Sequence, residues 1–102
     1  MQVYHLKEYK GEFFKILGQT KKSQLGVMTL EPNSDSGPEE IHGGDQLIYI
    51  IEGEAHVEVN KQVGVVREGM AAIIPAGSQH HIYNRSNNAV FFLTIYAPPA
   101  YE

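Results

Sequence analysis

Short hydrophobic runs, separated by frequent Gly and Pro, dominate the pattern of this chain. Residues 54–59, EAHVEV, alternate strictly, so that Ala55, Val57 and Val59 fall on one face of an extended segment. Residues 46–51, QLIYII, are apolar on both faces, which is typical of a strand that is buried from both sides. Because the runs along the chain are rich in β-branched and aromatic residues, the pattern predicts an all-β protein.

The same criteria place further strands between the turn-forming residues. The full set of predicted strands is 25–30, 46–51, 54–59, 62–66, 71–74, 79–84 and 89–96. Residues 5–17 come nearest to an amphipathic helix, but Gly11 and the β-prone pair Phe13-Phe14 weaken that interpretation. Many short strands with frequent turns favour a sandwich or a barrel, and 102 residues fit one domain, which we predict over residues 1–102.

Composition removes several classes of function. The net charge of −4, without any block of Lys and Arg, argues against nucleic acid or an anionic membrane as the main partner. The absence of Cys excludes a disulfide scaffold, a thiolate zinc site and a Cys nucleophile. No run approaches the roughly 20 apolar residues of a membrane helix, and no signal-peptide run is found. We therefore expect a cytoplasmic protein that binds neither nucleic acid nor membrane.

The candidate chemistry lies in the longest irregular stretch and in the strands beyond it. Residues 31–45, EPNSDSGPEEIHGGD, are polar, acidic and rich in Gly and Pro, and a loop of this kind is often functional. Extended geometry would place Glu40 and His42 on one face, because side chains alternate with period two. If the inner faces of the later strands meet there inside a barrel, Gln46 and His80 join them.

These four side chains offer two imidazole nitrogens and two oxygens. Such a mixed set suits Mn, Fe, Co, Ni, Cu or Zn better than Ca or Mg, which prefer oxygen ligands. We therefore predict a site for one divalent transition metal ion, formed by Glu40, His42, Gln46 and His80. Glu39 and Asp45 are the fallback carboxylates. The other histidines are interpreted as structural or surface residues: His5, His56 and His81.

The run from Gly69 to Asn84 adds a specific spacing. Pro75 follows Gly69 after five residues, Gly77 follows after one, His80 after two and Asn84 after three. This spacing resembles the second conserved motif of the cupin superfamily at every position. The resemblance implies that His80 is a metal ligand and that the other four residues shape the turn and the strand.

The upstream segment resembles the first cupin motif in part. Gly53 matches its closing Gly and His42 its second His, whereas Gln46 stands where the family has Glu. Glu40 stands where the first His belongs, and Gly37 is displaced from the place of the opening Gly. The usual set of three neutral His and one Glu carries one negative charge, and the set here carries the same total. Gln46 would bind the ion directly or hydrogen-bond a metal-bound water or substrate.

The resemblance implies a cupin-type double-stranded β-helix, which is a jelly-roll barrel, with a small organic ligand entering at its mouth. Dioxygenase, isomerase and lyase or cyclase reactions are the chemistries that it suggests. Two alternatives stay open: a non-enzymatic module that binds a small molecule or metal, and a structural barrel with a vestigial site. A phosphosugar substrate is disfavoured, because the interior positions offer no obvious Lys or Arg.

Apolar residues also fall on the outward side of two predicted strands. They exceed what one small core needs: Leu47, Tyr49 and Ile51, with Phe91, Leu93 and Ile95. Because small sheets must protect their edges and their two-sided apolar strands, we expect a homodimer.

Overall fold

The computed structural model describes residues 1–101 and consists mainly of β-strands. A short 3-10 helix, Leu6–Tyr9, precedes the first strand. The strands are β1 (Phe14–Gln19), β2 (Gln24–Leu30), β3 (Asp45–Glu52), β4 (Glu54–Val59), β5 (Gln62–Arg67), β6 (Ala71–Ile74), β7 (His80–Tyr83) and β8 (Val90–Ala97). The prediction of an all-β fold is confirmed, and each predicted strand has a counterpart. None of the helical structure in residues 1–101 has the length and hydrophobicity of a membrane-spanning segment.

The strands form two antiparallel sheets that enclose the core. The larger sheet has the order β1-β2-β8-β3-β6, and the smaller one has the order β5-β4-β7. Ile48, Ile50 and Phe92 from the larger sheet belong to the same buried cluster as Val57 and Ile82 from the smaller one. Each sheet therefore has one apolar face, and burying the two faces against each other gives a jelly-roll barrel.

Residues 5–17, the region nearest to an amphipathic helix, overlap β1, a strand that the hydrophobic pattern does not predict. β1 pairs with β2 from Phe14↔Met28 onward, but the register shifts between Ile16 and Gly18. A bulge of this kind interrupts the alternation of inward and outward side chains. The burial of side chains along FKILGQ therefore does not alternate, and the segment lacks the alternating pattern by which a strand is predicted.

The expectation that residues 46–51 are buried on both faces is wrong for the single chain. Ile48 and Ile50 are buried, whereas Leu47 and Tyr49 are 37% and 43% exposed. β3 alternates in this way because its inner side chains enter the core while its outer side chains remain open. Phe91, also expected on the outward side, is fully buried.

The irregular segment between β2 and β3 is attached along the free edge of β7. Ser36 donates a backbone hydrogen bond of 2.8 Å to Ile82, and Asn84 donates one of 2.8 Å to Ser34. Isolated β-bridges join Asp35 to Tyr83 and Glu40 to His80. The segment thus continues the smaller sheet beyond β7 and brings the acidic loop to the mouth of the barrel.

Candidate metal centre

A tight turn before β7 sets the position of His80. Ser78 donates its backbone N–H to the Pro75 carbonyl at 3.1 Å. Gly77, the third residue of this turn, has a φ of +77°, a value that glycine adopts without steric strain. Asp45 also fastens the turn, because its Oδ1 accepts the Ala76 N–H at 3.0 Å. Asp45 is therefore part of the scaffold of the turn.

Backbone hydrogen bonds attach the acidic loop to the strand segment that contains His80. Glu40 donates to the His80 carbonyl at 3.0 Å, and His80 donates to the Glu40 carbonyl at 2.9 Å. Residues that exchange both bonds are direct cross-strand partners, and their side chains leave on the same face. The N–H of Gly77 donates to the His42 carbonyl at 2.9 Å, which fixes the loop at a second point.

The side chains of Glu40, His42 and His80 converge as a result. One donor atom from each lies within 4.8 Å of the others, so that this group could hold a metal ion. Nε2 of His42 lies 3.2 Å from Oε2 of Glu40, and the two imidazole rings have centroids 5.0 Å apart. His80 is only 5% exposed, so the interior end of the group is shielded from water.

A hydrogen bond selects the tautomer of His80. Its Nδ1 lies 3.2 Å from the carbonyl oxygen of Ser78. Because a carbonyl oxygen only accepts, Nδ1 carries the hydrogen, and in the neutral ring Nε2 then has the lone pair. An imidazole oriented in this way by a backbone carbonyl is the usual arrangement of a metal-binding histidine.

Gln46 contributes a buried oxygen that has no hydrogen-bond partner in the described part of the chain. The residue is 3% exposed, and its Nε2 donates to Oγ1 of Thr94 at 3.1 Å. Its Oε1 is buried and has no hydrogen-bond partner among the described residues. Leaving such an acceptor unsatisfied costs about 1–3 kcal/mol, so an additional donor or cation at this point would be stabilising. The donor set therefore fits a metal ion in both its chemistry and its unmet bonding.

Electrostatics keep His42 in its metal-binding form. Burial lowers the pKa of the His42 imidazole below its ordinary value of 6.5, and the neighbouring His80 lowers it further. The Glu40 carboxylate opposes this shift. The ring is therefore largely neutral at pH 7, and neutral imidazole is the form that binds metals.

The four predicted side chains line one cavity of about 160 Å³. An apolar cavity of about 150 Å³ is large enough for benzene. None of the described residues lining it is Lys or Arg. The lining comprises Phe13, Phe14, Met28, Ser36, Pro38, Glu40, His42, Gln46, His80, Ile82, Phe92, Thr94, Tyr96 and Tyr101.

Tyr101 is the site residue that sequence reasoning missed. Its hydroxyl donates to Oε2 of Glu40 at 2.8 Å, and its ring lies 5.7 Å from that of His42. Burial, with the hydrogen bond to Glu40 as the next cause, raises the pKa of Tyr101, so its hydroxyl stays protonated at neutral pH. Tyr101 follows the last strand in the segment APPAYE, where no periodicity places a side chain in the barrel.

The remaining candidates lie outside this cavity. Glu39 is exposed, and His5 is an exposed partner of Glu8. His56 and His81 each stack against Tyr83 on the outer face of the smaller sheet. The positions of the three histidines agree with their interpretation as structural or surface residues, and Glu39, a fallback carboxylate, does not line the cavity.

The family model of the cupin domain, Cupin_2, matches residues 26–96. The chain therefore belongs to the cupin family, and the matched range contains β3 to β7, most of β2 and β8, and the residues Glu40, His42, Gln46 and His80.

Individual proteins are similar to this chain over most of its length. Uncharacterized protein L612 of Acanthamoeba polyphaga mimivirus is 36% identical over 88 residues, covering 82% of this chain and 55% of that protein. The structure of TT1209 from Thermus thermophilus has a TM-score of 0.82 at 29% identity, covering 96% of this chain and 98% of that one. The structure of BH2720 from Bacillus halodurans has a TM-score of 0.83 at 29% identity, covering 88% of this chain and 73% of that one. The chain spans about half the length of the curated relatives that it matches.

We expect the imidazole of His42 to titrate below pH 6.5 in protein treated with a chelator. Since folding lowers this pKa, the corresponding stability is present above about pH 6.5 and is lost as the pH falls through the folded value. Histidine ring NMR spectra recorded against pH check the value, and the spectrum of His42→Gln assigns the resonances. A His42 midpoint at or above 6.5 would contradict the electrostatic account.

Proposed function

We propose that this cupin binds one divalent transition metal ion through Glu40, His42, Gln46 and His80, and that the cavity beside these residues takes a small organic molecule. The Oε1 of Gln46 carries the proposal: it has no hydrogen-bond partner within residues 1–101, and Gln46 lines the same cavity as three converging donors. A structural barrel with a vestigial site would gain nothing from a buried acceptor without a partner.

The charges of the four side chains also favour a divalent ion. Glu40 supplies the only formal negative charge among them, while both imidazoles and the Gln46 amide are neutral in their metal-binding forms. A divalent ion would leave about one net positive charge, which attracts a ligand oxygen. Two nitrogens among the donors favour Mn, Fe, Co, Ni, Cu or Zn over Ca or Mg. When bound, such an ion acts as a Lewis acid that polarises a carbonyl or hydroxyl group of the ligand.

The protein purified without added metal is expected to contain a stoichiometric transition metal, or to bind one on titration. His80→Ala should weaken binding by more than about 100-fold, since losing a direct ligand exceeds the effect of losing an outer-shell partner. Elemental analysis and calorimetric titration measure both quantities.

His81→Ala is the matched control, because this neighbouring histidine lies on the opposite face of β7 and should leave binding unchanged. Absence of metal from the wild-type protein under both conditions would contradict the proposal. Unchanged binding by His80→Ala would place any metal site elsewhere.

The lining of the cavity describes the small molecule. Aromatic and aliphatic side chains, including Phe14, Met28 and Phe92, make up much of the lining. A single anionic or oxygen-bearing group of the ligand would find its partner at the metal end. A second charged group would be desolvated without a cationic partner, which is unfavourable. The preferred ligand is therefore a small molecule with one polar end and an apolar body.

Two keto acids of similar size test this preference. With the Ni²⁺-loaded protein, 4-methyl-2-oxopentanoate should bind at least about tenfold more tightly than 2-oxoglutarate, whose second carboxylate would be buried without a partner. Calorimetry measures both affinities. Equal affinities, or tighter binding of 2-oxoglutarate, would contradict an apolar environment for the ligand body. Turnover of small diols, keto acids or uronates would distinguish an enzyme from a binding module.

The outer face of the larger sheet supports a second part of the proposal, a homodimer. One row of facing residues, Leu25, Ile95, Leu47 and Ile73, crosses β2, β8, β3 and β6. The next row is Val27, Leu93, Tyr49 and Ala71. Leu47, Tyr49 and Ile73 are 37%, 43% and 67% exposed. Val27, at the β2 end of the second row, is fully buried, so the open part of this face lies over β3 and β6. An exposed apolar patch of this kind marks an interaction site. Across β2, β8, β3 and β6 neither row carries a charge, and the second row meets Lys15 only on the edge strand β1. A two-fold related copy can therefore pack on the central strands without opposing like charges. The partners that we propose are a small molecule and this second copy, with no role for nucleic acid or a membrane. We also propose that the protein is cytoplasmic.

Light scattering at tens of micromolar should give twice the mass of one chain. Ile73→Lys should shift the protein toward the monomer, because two-fold symmetry would bring its like charges close together in the apolar interface. Val63→Lys is the control, since Val63 is 52% exposed but lies on the smaller sheet. A monomeric wild-type protein would contradict the dimer, and a dimeric Ile73→Lys variant would contradict this interface.

A further inference from the structure

The buried side chain of Gln24 binds the backbone of the segment that follows β8. Gln24 begins β2 and is 1% exposed. Its Oε1 accepts the N–H groups of Ala100 at 3.1 Å and Tyr101 at 3.0 Å. Its Nε2 donates to the carbonyl oxygen of Tyr101 and to Oε1 of Gln19. The side-chain amide thus bonds both backbone groups of Tyr101, as a peptide group of a neighbouring strand would.

This attachment places the ring of Tyr101 in the wall of the cavity. The ring meets those of Phe14 and Tyr96 edge-on, with centroids 5.1 and 5.2 Å away. These contacts restrict the ring, so that its hydroxyl is held in one place. There the hydroxyl donates its hydrogen bond to Oε2 of Glu40.

Glu40 needs such a partner more than the two histidines do. Its side chain is 44% exposed, whereas that of His42 is 13% exposed. A partly exposed glutamate on a loop samples several rotamers, and ordering a long side chain costs conformational entropy. A hydrogen bond from a fixed hydroxyl restricts the carboxylate before any ligand arrives.

We infer that Tyr101 is a positioning residue for the Glu40 carboxylate and that Gln24 acts through Tyr101. This inference rests on the proposed metal site. Outer-shell hydrogen bonds orient ligating carboxylates, and losing one typically weakens metal binding by about 10- to 100-fold. Residues 24 and 101 would thereby set the affinity of the centre without contacting the ion.

Co²⁺ titration, followed by visible absorption with a competing chelator, tests both steps. Tyr101→Phe keeps the ring and removes the hydroxyl, and it should raise the dissociation constant by about 10- to 100-fold. Gln24→Met keeps the volume but frees the backbone of Tyr101, and it should act in the same direction. In the double variant the two effects should not multiply, because both remove the same constraint on Glu40.

Two further variants make the comparison decisive. Tyr4→Phe is the control, because Tyr4 donates to Gln2 at an exposed position and should leave Co²⁺ affinity unchanged. Gln24→Asn keeps a neutral amide but shortens its reach to the backbone of Tyr101, which gives a milder variant if Gln24→Met does not fold.

The outcomes separate the two proposals. Wild-type affinity in Tyr101→Phe would overturn the positioning role while leaving the metal site intact. Multiplying effects in the double variant would show that Gln24 acts independently of Tyr101 and would overturn that step. A wild-type protein that binds no Co²⁺ or other transition metal would overturn the metal site and, with it, this inference.

Discussion

The pair of backbone hydrogen bonds between Glu40 and His80 is the constraint on which the rest of the site depends. It joins a loop, which has no regular structure of its own, to a strand whose start is set by the turn at Gly77. Because the two residues are direct partners, their side chains must leave on the same face. The contact between Gly77 and His42 adds a second point of attachment, so two of the three converging donors inherit their positions from the segment around His80.

Gln46 and Thr94 complete the site from the opposite sheet, where their positions do not depend on the loop. β3 and β8 are neighbours in that sheet, and both residues have side chains in the cavity lining. The centre therefore spans both layers of the barrel. A change in how the two sheets pack would alter the distance between Gln46 and the three other donors without breaking any bond within the loop.

Much of the fold and part of the site could be predicted from the sequence. The alternation in EAHVEV predicts β4, because side chains alternate along a strand. The spacing from Gly69 to Asn84 predicts β7 and the position of His80, because it includes a turn that requires glycine. β1 escaped prediction because its bulge breaks the alternation. The outer face of β3 was misjudged because an apolar pattern does not reveal which sheet face the same chain covers. Tyr101 was not predicted, because its position is determined by hydrogen bonds between its backbone and the side chain of Gln24, which lies far away in the sequence.

The contact between Glu40 and His80 also has a consequence for the order of folding. The two residues are separated by about 40 residues, so their pairing closes a long loop and must compensate for the chain entropy that closure removes. The local turns and hairpins between them, such as β4 with β5, involve much shorter loops. Chains rich in such distant contacts fold slowly. The acidic loop therefore cannot join the barrel through local turns alone, and a newly made chain would acquire its full set of converging donors only after this long-range closure.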